Sequence, residues 1–184
     1  HLAIAGKYPQ VLALPDRWAT WWLGGVRAGL RAIRAQRPDV VWSTYPISTA
    51  HMIGASLAKK TVLPWIADFR DPMLNPGYPS EPLQRRIRQR IESETLARAT
   101  FCVFTTQRAA DNYAERYPQA AGKCRVIENG YDEDAFTDAI PARSGVADDT
   151  LLFLHSGIIY PEDRDPSAFF AAIARLIDQG SLSR

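Results

Sequence analysis

The chain has 184 residues, 46% hydrophobic and 23% charged, the composition of a globular protein with a core to bury. It has no run of about 18 apolar residues to cross a membrane, and HLAIAGKYPQ lacks the basic start and apolar stretch of a signal peptide. The net charge of +2 hides an uneven split: 13 Lys+Arg against 6 Asp+Glu in residues 1–92, and 9 against 14 in 93–184, so the basic first half suits an anionic partner.

In chain order, Trp18 to Arg37 reads as a helix. Trp18, Trp21, Trp22, Val26, Leu30 and Ile33 share one side, and Arg27, Arg31 and Arg34 form a basic stripe. The pattern fits a core-packed helix with a solvated face; it also fits a helix resting on an anionic bilayer. Asp39 to Ser43 (DVVWS) reads as a buried strand, and Ser48 to Lys60 as a helix with Ser48 as N-cap. Val62 to Ala67 is a strand, Pro82 to Arg98 a helix, Thr100 to Thr105 a strand and Gln107 to Tyr117 a helix. Arg125 to Glu128 and Thr150 to His155 are strands, and Pro166 to Gln179 is a helix. Short, continuously apolar strands between helices predict an α/β fold: a Rossmann-like parallel sheet with helices on both faces. Polar residues from Asp138 to Asp149, with Pro141 and Gly145, read as a linker. The domains expected are 1–140, a linker at 141–149, and 150–184 as the start of a second domain. Without an initiator Met, the chain is expected to begin inside a longer or processed sequence. Cys102 and Cys124 lie in apolar runs outside any CxxC, which argues for reduced core residues and against structural zinc.

Ligands of an open parallel sheet bind beyond the carboxyl ends of its strands. Thr44-Tyr45-Pro46 follow the first strand, with His51 in the first turn of the next helix. Asp68-Phe69-Arg70-Asp71 follow the second, Thr106-Gln107 the third, Asn129-Gly130-Tyr131-Asp132 the fourth and Ser156-Gly157 the fifth, with Arg164 before the last helix. A helix N-terminus lowers a histidine pKa and favours a neutral donor or base, which makes His51 a catalytic candidate; a merely exposed His51 capped by Ser48 is the plain alternative. Asp68 and Asp71 have theirs too: Arg70 pairs with one of them, and Asp71 serves the turn at Pro72. The DxxD spacing argues against a metal. Arg164 suits a phosphate contact, or a simple pair with Asp163 or Asp165. Arg85, Arg86, Arg88 and Arg90 read as a solvated basic helix face.

DVVWSTYPISTAHMIGASLAKK, LPWIADFRDP, VIENGYDEDAF and LHSGIIYPEDRDPSAFFAAIARL, in that order, resemble the family 4 retaining glycosyltransferases of the GT-B fold, especially bacterial members that build surface polysaccharides. The resemblance runs from about Leu14 to the C-terminus. It implies two Rossmann-like domains across a cleft and a sugar moved from a nucleotide-diphosphate sugar to a lipid-linked or polysaccharide acceptor, without cofactor or metal. It places His51 near the sugar or acceptor; Asp68, Arg70 and Asp71 on the acceptor side; Asn129, Gly130 and Asp132 between the domains; and Gly157 and Arg164 at the donor phosphates. It implies a cytoplasmic enzyme, peripheral on the inner membrane face. The family's first strand with its glycine-rich loop and its paired-glutamate motif are not found, which implies the middle of such an enzyme, inactive alone.

A non-catalytic Rossmann-like binding or regulatory module is the other reading, and would explain the missing pieces. A nicotinamide enzyme is disfavoured because no GxGxxG follows a strand. Nucleic-acid binding would rest on basic helices alone and is not expected.

Overall fold

The computed structural model describes residues 13–136, 150–159 and 165–183. The chain divides into two compact units, His1–Tyr131 and Asp132–Arg184.

The first unit runs α1 (Trp21–Gln36), β1 (Val41–Thr44), α2 (Ser48–Thr61), β2 (Trp65–Phe69), α3 (Pro82–Arg98), β3 (Phe101–Phe104), α4 (Gln107–Arg116), a 3₁₀ turn (Pro118–Lys123) and β4 (Cys124–Val126). The four strands are parallel, in the order β1-β2-β3-β4. This is the expected α/β fold, a Rossmann-like parallel sheet flanked by helices. Register aligns Ser43, Ala67, Cys102 and Cys124 on one face and Thr44, Asp68, Val103 and Arg125 on the other. Strands added in sequential order with right-handed crossovers leave every connecting helix on the same side. Accordingly His51 of α2 packs on Ser43, and Tyr113 of α4 on Phe69 and Phe104. The opposite face carries Trp42, 52% exposed, and Phe101, 39% exposed. A second layer of helices over it is not among the described residues.

β1 alternates buried and exposed residues, whereas β3 keeps Cys102, Val103 and Phe104 buried in succession. The core is Trp65, Ala67, Phe69, Leu96, Cys102, Phe104 and Tyr113 on the helix-covered face. Burial pushes the Cys102 thiol up to about 12, and both cysteines are free. Along α1, Val26, Leu30 and Ile33 serve the core, whereas Trp21 and Trp22 in its first turn and Trp18 before it stay substantially exposed. No described helix is long and apolar enough to cross a membrane.

Two local expectations shift. β2 begins at Trp65, not Val62, because Val62 closes α2 in the left-handed region (φ 60°) and Pro64 has no N–H for a ladder. The strand therefore carries Asp68 and Phe69 as its last rungs. Ser48 is the first helical residue of α2 rather than its cap; Asp16, from the segment before α1, takes that role. Its Oδ2 accepts from the Thr49 N–H (2.9 Å) and its Oδ1 from Thr49 Oγ1 (2.9 Å).

In the second unit, α5 (Ser167–Asp178) forms as expected, and the Asp165 carboxylate accepts from the Ser167 N–H at its start. Thr150 to His155 forms no strand, in contrast to its apolar pattern. Leu151, Leu152, Phe153 and Leu154 are all more than half exposed. Among the described residues no strand lies beside Leu151–Leu154 to pair with.

Candidate functional site

The carboxyl edge of the first unit's sheet gathers most of the sequence candidates. Thr44 ends β1, and its hydroxyl donates to Asp68 Oδ2 (2.9 Å) on the facing rung of β2. One residue on, the Tyr45 N–H donates to the Asp68 carbonyl (3.0 Å). From β3, Thr105 Oγ1 donates to the Arg70 carbonyl (3.2 Å). The edge is thus stitched strand to strand, which fixes where the acidic segment points. Arg70 and Asp71 are exposed, and among the described residues neither is ion-paired or side-chain hydrogen-bonded. Arg70 does not neutralise Asp68 or Asp71. Asn129 and Gly130 follow β4 and are exposed.

Behind this edge lies a buried polar cluster. His51 is 0% exposed. Its Nδ1 is 2.8 Å from Ser43 Oγ, which also accepts the Trp65 indole N–H (2.8 Å). Ser43 has one proton to give, and Nδ1 is its only acceptor here, so the ring proton sits on Nε2. That Nε2 is buried without a partner. Burial alone drives the His51 pKa down to about 4, so the ring is neutral at pH 7. Tyr45, Trp65 and Phe69 surround it. Close approach of α2 to β1 and β2 needs Gly54: a Cβ there would lie 2.6 Å from Trp65 Nε1 and 2.8 Å from Ser43 Oγ. Burial, rather than the helix N-terminus, is what keeps the ring neutral, and the ring is enclosed rather than exposed in a cleft.

Arg88, expected on a solvated face, is 6% exposed. Its Nη1 donates to the Tyr45 hydroxyl (3.3 Å) and its guanidinium lies over the Tyr78 ring (5.0 Å). Burial raises the Tyr45 phenol above its ordinary value, against the pull of the Arg88 charge. Arg85 also turns inward, its Nη1 donating to the Asn75 (2.8 Å) and Tyr78 (3.2 Å) carbonyls; Arg86 and Arg90 stay in solvent.

A third group holds the loop after Asp71. Glu92 is 0% exposed and accepts from the Tyr113 (2.6 Å) and Tyr117 (2.8 Å) hydroxyls, while Arg116 pairs with it at 3.1 Å. Tyr113 in turn accepts the Met73 N–H (3.0 Å). Sequence reasoning passed over Glu92, Tyr113 and Arg116. Tyrosines four apart on α4 pointing at one acid of α3 become a pattern only once the helices pack.

In the second unit, Asp132 Oδ1 accepts from the Asp134 N–H (3.1 Å) in a local turn, and Gly157 has φ 145°, which a side chain would resist. Arg164 and the linker at 141–149 lie outside the described residues. Among the described residues no group of three His, Cys, Asp or Glu is disposed to hold a metal.

No curated protein matches the chain. The family model described as a glycosyl transferase 4-like domain matches residues 6–130, the stretch that builds this sheet and its polar edge. The chain belongs to the glycosyl transferase 4-like domain family, and its chemistry is glycosyl transfer.

Proposed function

We propose that the chain is the acceptor side of a retaining glycosyltransferase, which moves a hexosyl group from a nucleotide-diphosphate sugar to a lipid-linked or polysaccharide acceptor. The observation that carries this reading is the pair of unneutralised charges, Arg70 and Asp71, held at the carboxyl edge beside the anchored Asp68. Carboxylates and a guanidinium in that setting match sugar hydroxyls. Asp68 sets the strand ends through Thr44, while Asp71 and Arg70 contact the acceptor. His51, being enclosed, acts through Ser43 and Trp65 as a positioning residue for the first turn of α2. Residues 1–140 form the acceptor domain and 141–149 the linker. Residues 150–184 begin the donor domain, where Gly157 and Arg164 meet the diphosphate, with Asn129, Gly130 and Asp132 between the domains. An apolar Leu151–Leu154 that forms no strand and stays exposed fits this division. No metal takes part. The exposed Trp18, Trp21 and Trp22 beside arginines favour a peripheral position on the cytoplasmic membrane face.

The test is nucleotide release by a protein carrying this chain with a complete donor domain. It is offered UDP- and GDP-sugars with a membrane lipid extract, with and without EDTA. Release should resist EDTA and fall about 10²-fold or more in Asp71→Asn, with a loss also in Arg164→Ala. A folded protein that releases nucleotide from no donor would favour the binding-module reading instead.

A further inference from the structure

The loop after Asp71 and the outer side of α4 enclose a groove of about 450 Å³ that the sugar-hydroxyl reading does not use. Three arginines line it, Arg85, Arg108 and Arg116, together with Asn75, Asn112 and Thr106, and among the described residues no carboxylate does. Their donors are only partly spent. Arg85 uses Nη1 on two carbonyls, leaving Nη2 and Nε. Arg116 gives Nη2 to Glu92 and stacks over Tyr113 and Tyr117, which fixes its plane and leaves Nη1 and Nε. Arg108 is exposed and has no partner among the described residues. Among the described residues Glu92 is the one carboxylate ion-paired with any of these three guanidiniums.

Such a surface is costly to maintain without a counter-charge. Like charges repel, and a concave wall with no acid of its own focuses positive potential into the groove. Two of the three arginines are held by the fold, so little ordering is left to bind an anion. Forked donors facing one space suit the tetrahedral oxygens of phosphate. The amide donors of Asn75 and Asn112 lie on the same walls.

We propose that this groove binds a phosphoryl or diphosphoryl group, and that the group belongs to the acceptor. Pro72 lines the groove and directly follows Asp71, so an acceptor with its phosphate there would present an adjoining sugar or hydroxyl to Arg70 and Asp71. Only the assignment to an acceptor rests on the sugar-transfer reading; the anion site itself does not.

The test is therefore direct binding to the full chain, read by calorimetry with inorganic pyrophosphate at fixed ionic strength. Saturable one-to-one binding is expected, weakened about tenfold or more by Arg108→Ala, whose exposed side chain is not needed for folding. Arg85→Ala should weaken it similarly, and Lys60→Ala, an exposed cation at the end of α2 that does not line the groove, should leave it unchanged. A second arm measures retention by phosphatidylcholine vesicles with and without phosphatidic acid. Loss in Arg108→Ala on both arms supports the site and points to a lipid-borne phosphate. Loss with pyrophosphate alone supports it with a soluble one. Absent saturable binding, binding indifferent to Arg108→Ala, or an equal loss in Lys60→Ala would overturn the site. None of these depends on nucleotide release, so a failure here leaves sugar transfer standing, and a failure of sugar transfer leaves the anion site standing.

Discussion

Two buried polar clusters sit under the same sheet face and solve the cost of burial in different ways. The Glu92 cluster buries a full charge and satisfies it: two tyrosine hydroxyls and one guanidinium converge on a carboxylate with no exposed surface. The His51 cluster buries a titratable ring by keeping it neutral, and still leaves Nε2 unpartnered. The first ties α3, α4 and the Met73 loop together, so its geometry shapes the arginine groove. The second ties α2 to β1 and β2 just behind the edge that carries Asp68. A charged cluster tolerates burial only with every partner in place, while a neutral one tolerates a missing bond and instead depends on pH.

Breaking the charged cluster should do the most damage. Glu92→Ala leaves two tyrosine hydroxyls and part of a guanidinium without their acceptor, and should cost about 3–5 kcal/mol in denaturant unfolding. Glu94→Ala, one turn-face away in an exposed pair with Arg98, should cost about 0–1 kcal/mol. Similar losses in both would end the distinction between the clusters.

The neutral cluster should show itself through pH. The folded His51 pKa of about 4 lies below the unfolded value of 6.5, so the unfolded chain takes up a proton that the folded chain refuses. The stability that follows is complete above about pH 6.5 and is lost as pH falls toward 4, by about 3 kcal/mol in all. Unfolding midpoints measured across that window should slope down in the native chain, and the slope should flatten in His51→Gln. A slope unchanged by the substitution would place its origin elsewhere.

A smaller effect sharpens the packing behind the second cluster. Gly54→Ala inserts a methyl where Trp65 Nε1 and Ser43 Oγ already stand within 2.8 Å. Overpacking of this kind should cost about 1–3 kcal/mol, and the tryptophan fluorescence should shift as the Trp65–Ser43 bond lengthens. A neutral Gly54→Ala would mean that α2 can withdraw from the sheet at no cost.

Local pattern carried the elements of the first unit. The long run Pro82–Arg98, with proline at its start, and the short run FCVFT are local signals, and both elements formed within a residue or so of their expected bounds. The carboxyl-edge placement of Arg70, Asp71, Asn129 and Gly130 follows from strand direction alone. What failed had a non-local cause. TLLFLH has a strand's pattern, but among the described residues no strand lies beside Leu151–Leu154. Arg85 and Arg88 look like their solvated neighbours Arg86 and Arg90, because nothing within one helix says which side meets another.

The sequence by itself determined the alternation of strand and helix, the parallel sheet and the family, since periodicity, turn residues and ordered motifs are written along the chain. Only the tertiary structure decided that the connecting helices share one face, that His51 is enclosed by Ser43 and Trp65, that Asp16 caps α2 from outside it, and that three arginines from two helices border one groove. Each of these depends on residues tens of positions apart meeting in space, and burial, charge pairing and access to a ligand are properties of that meeting rather than of any segment.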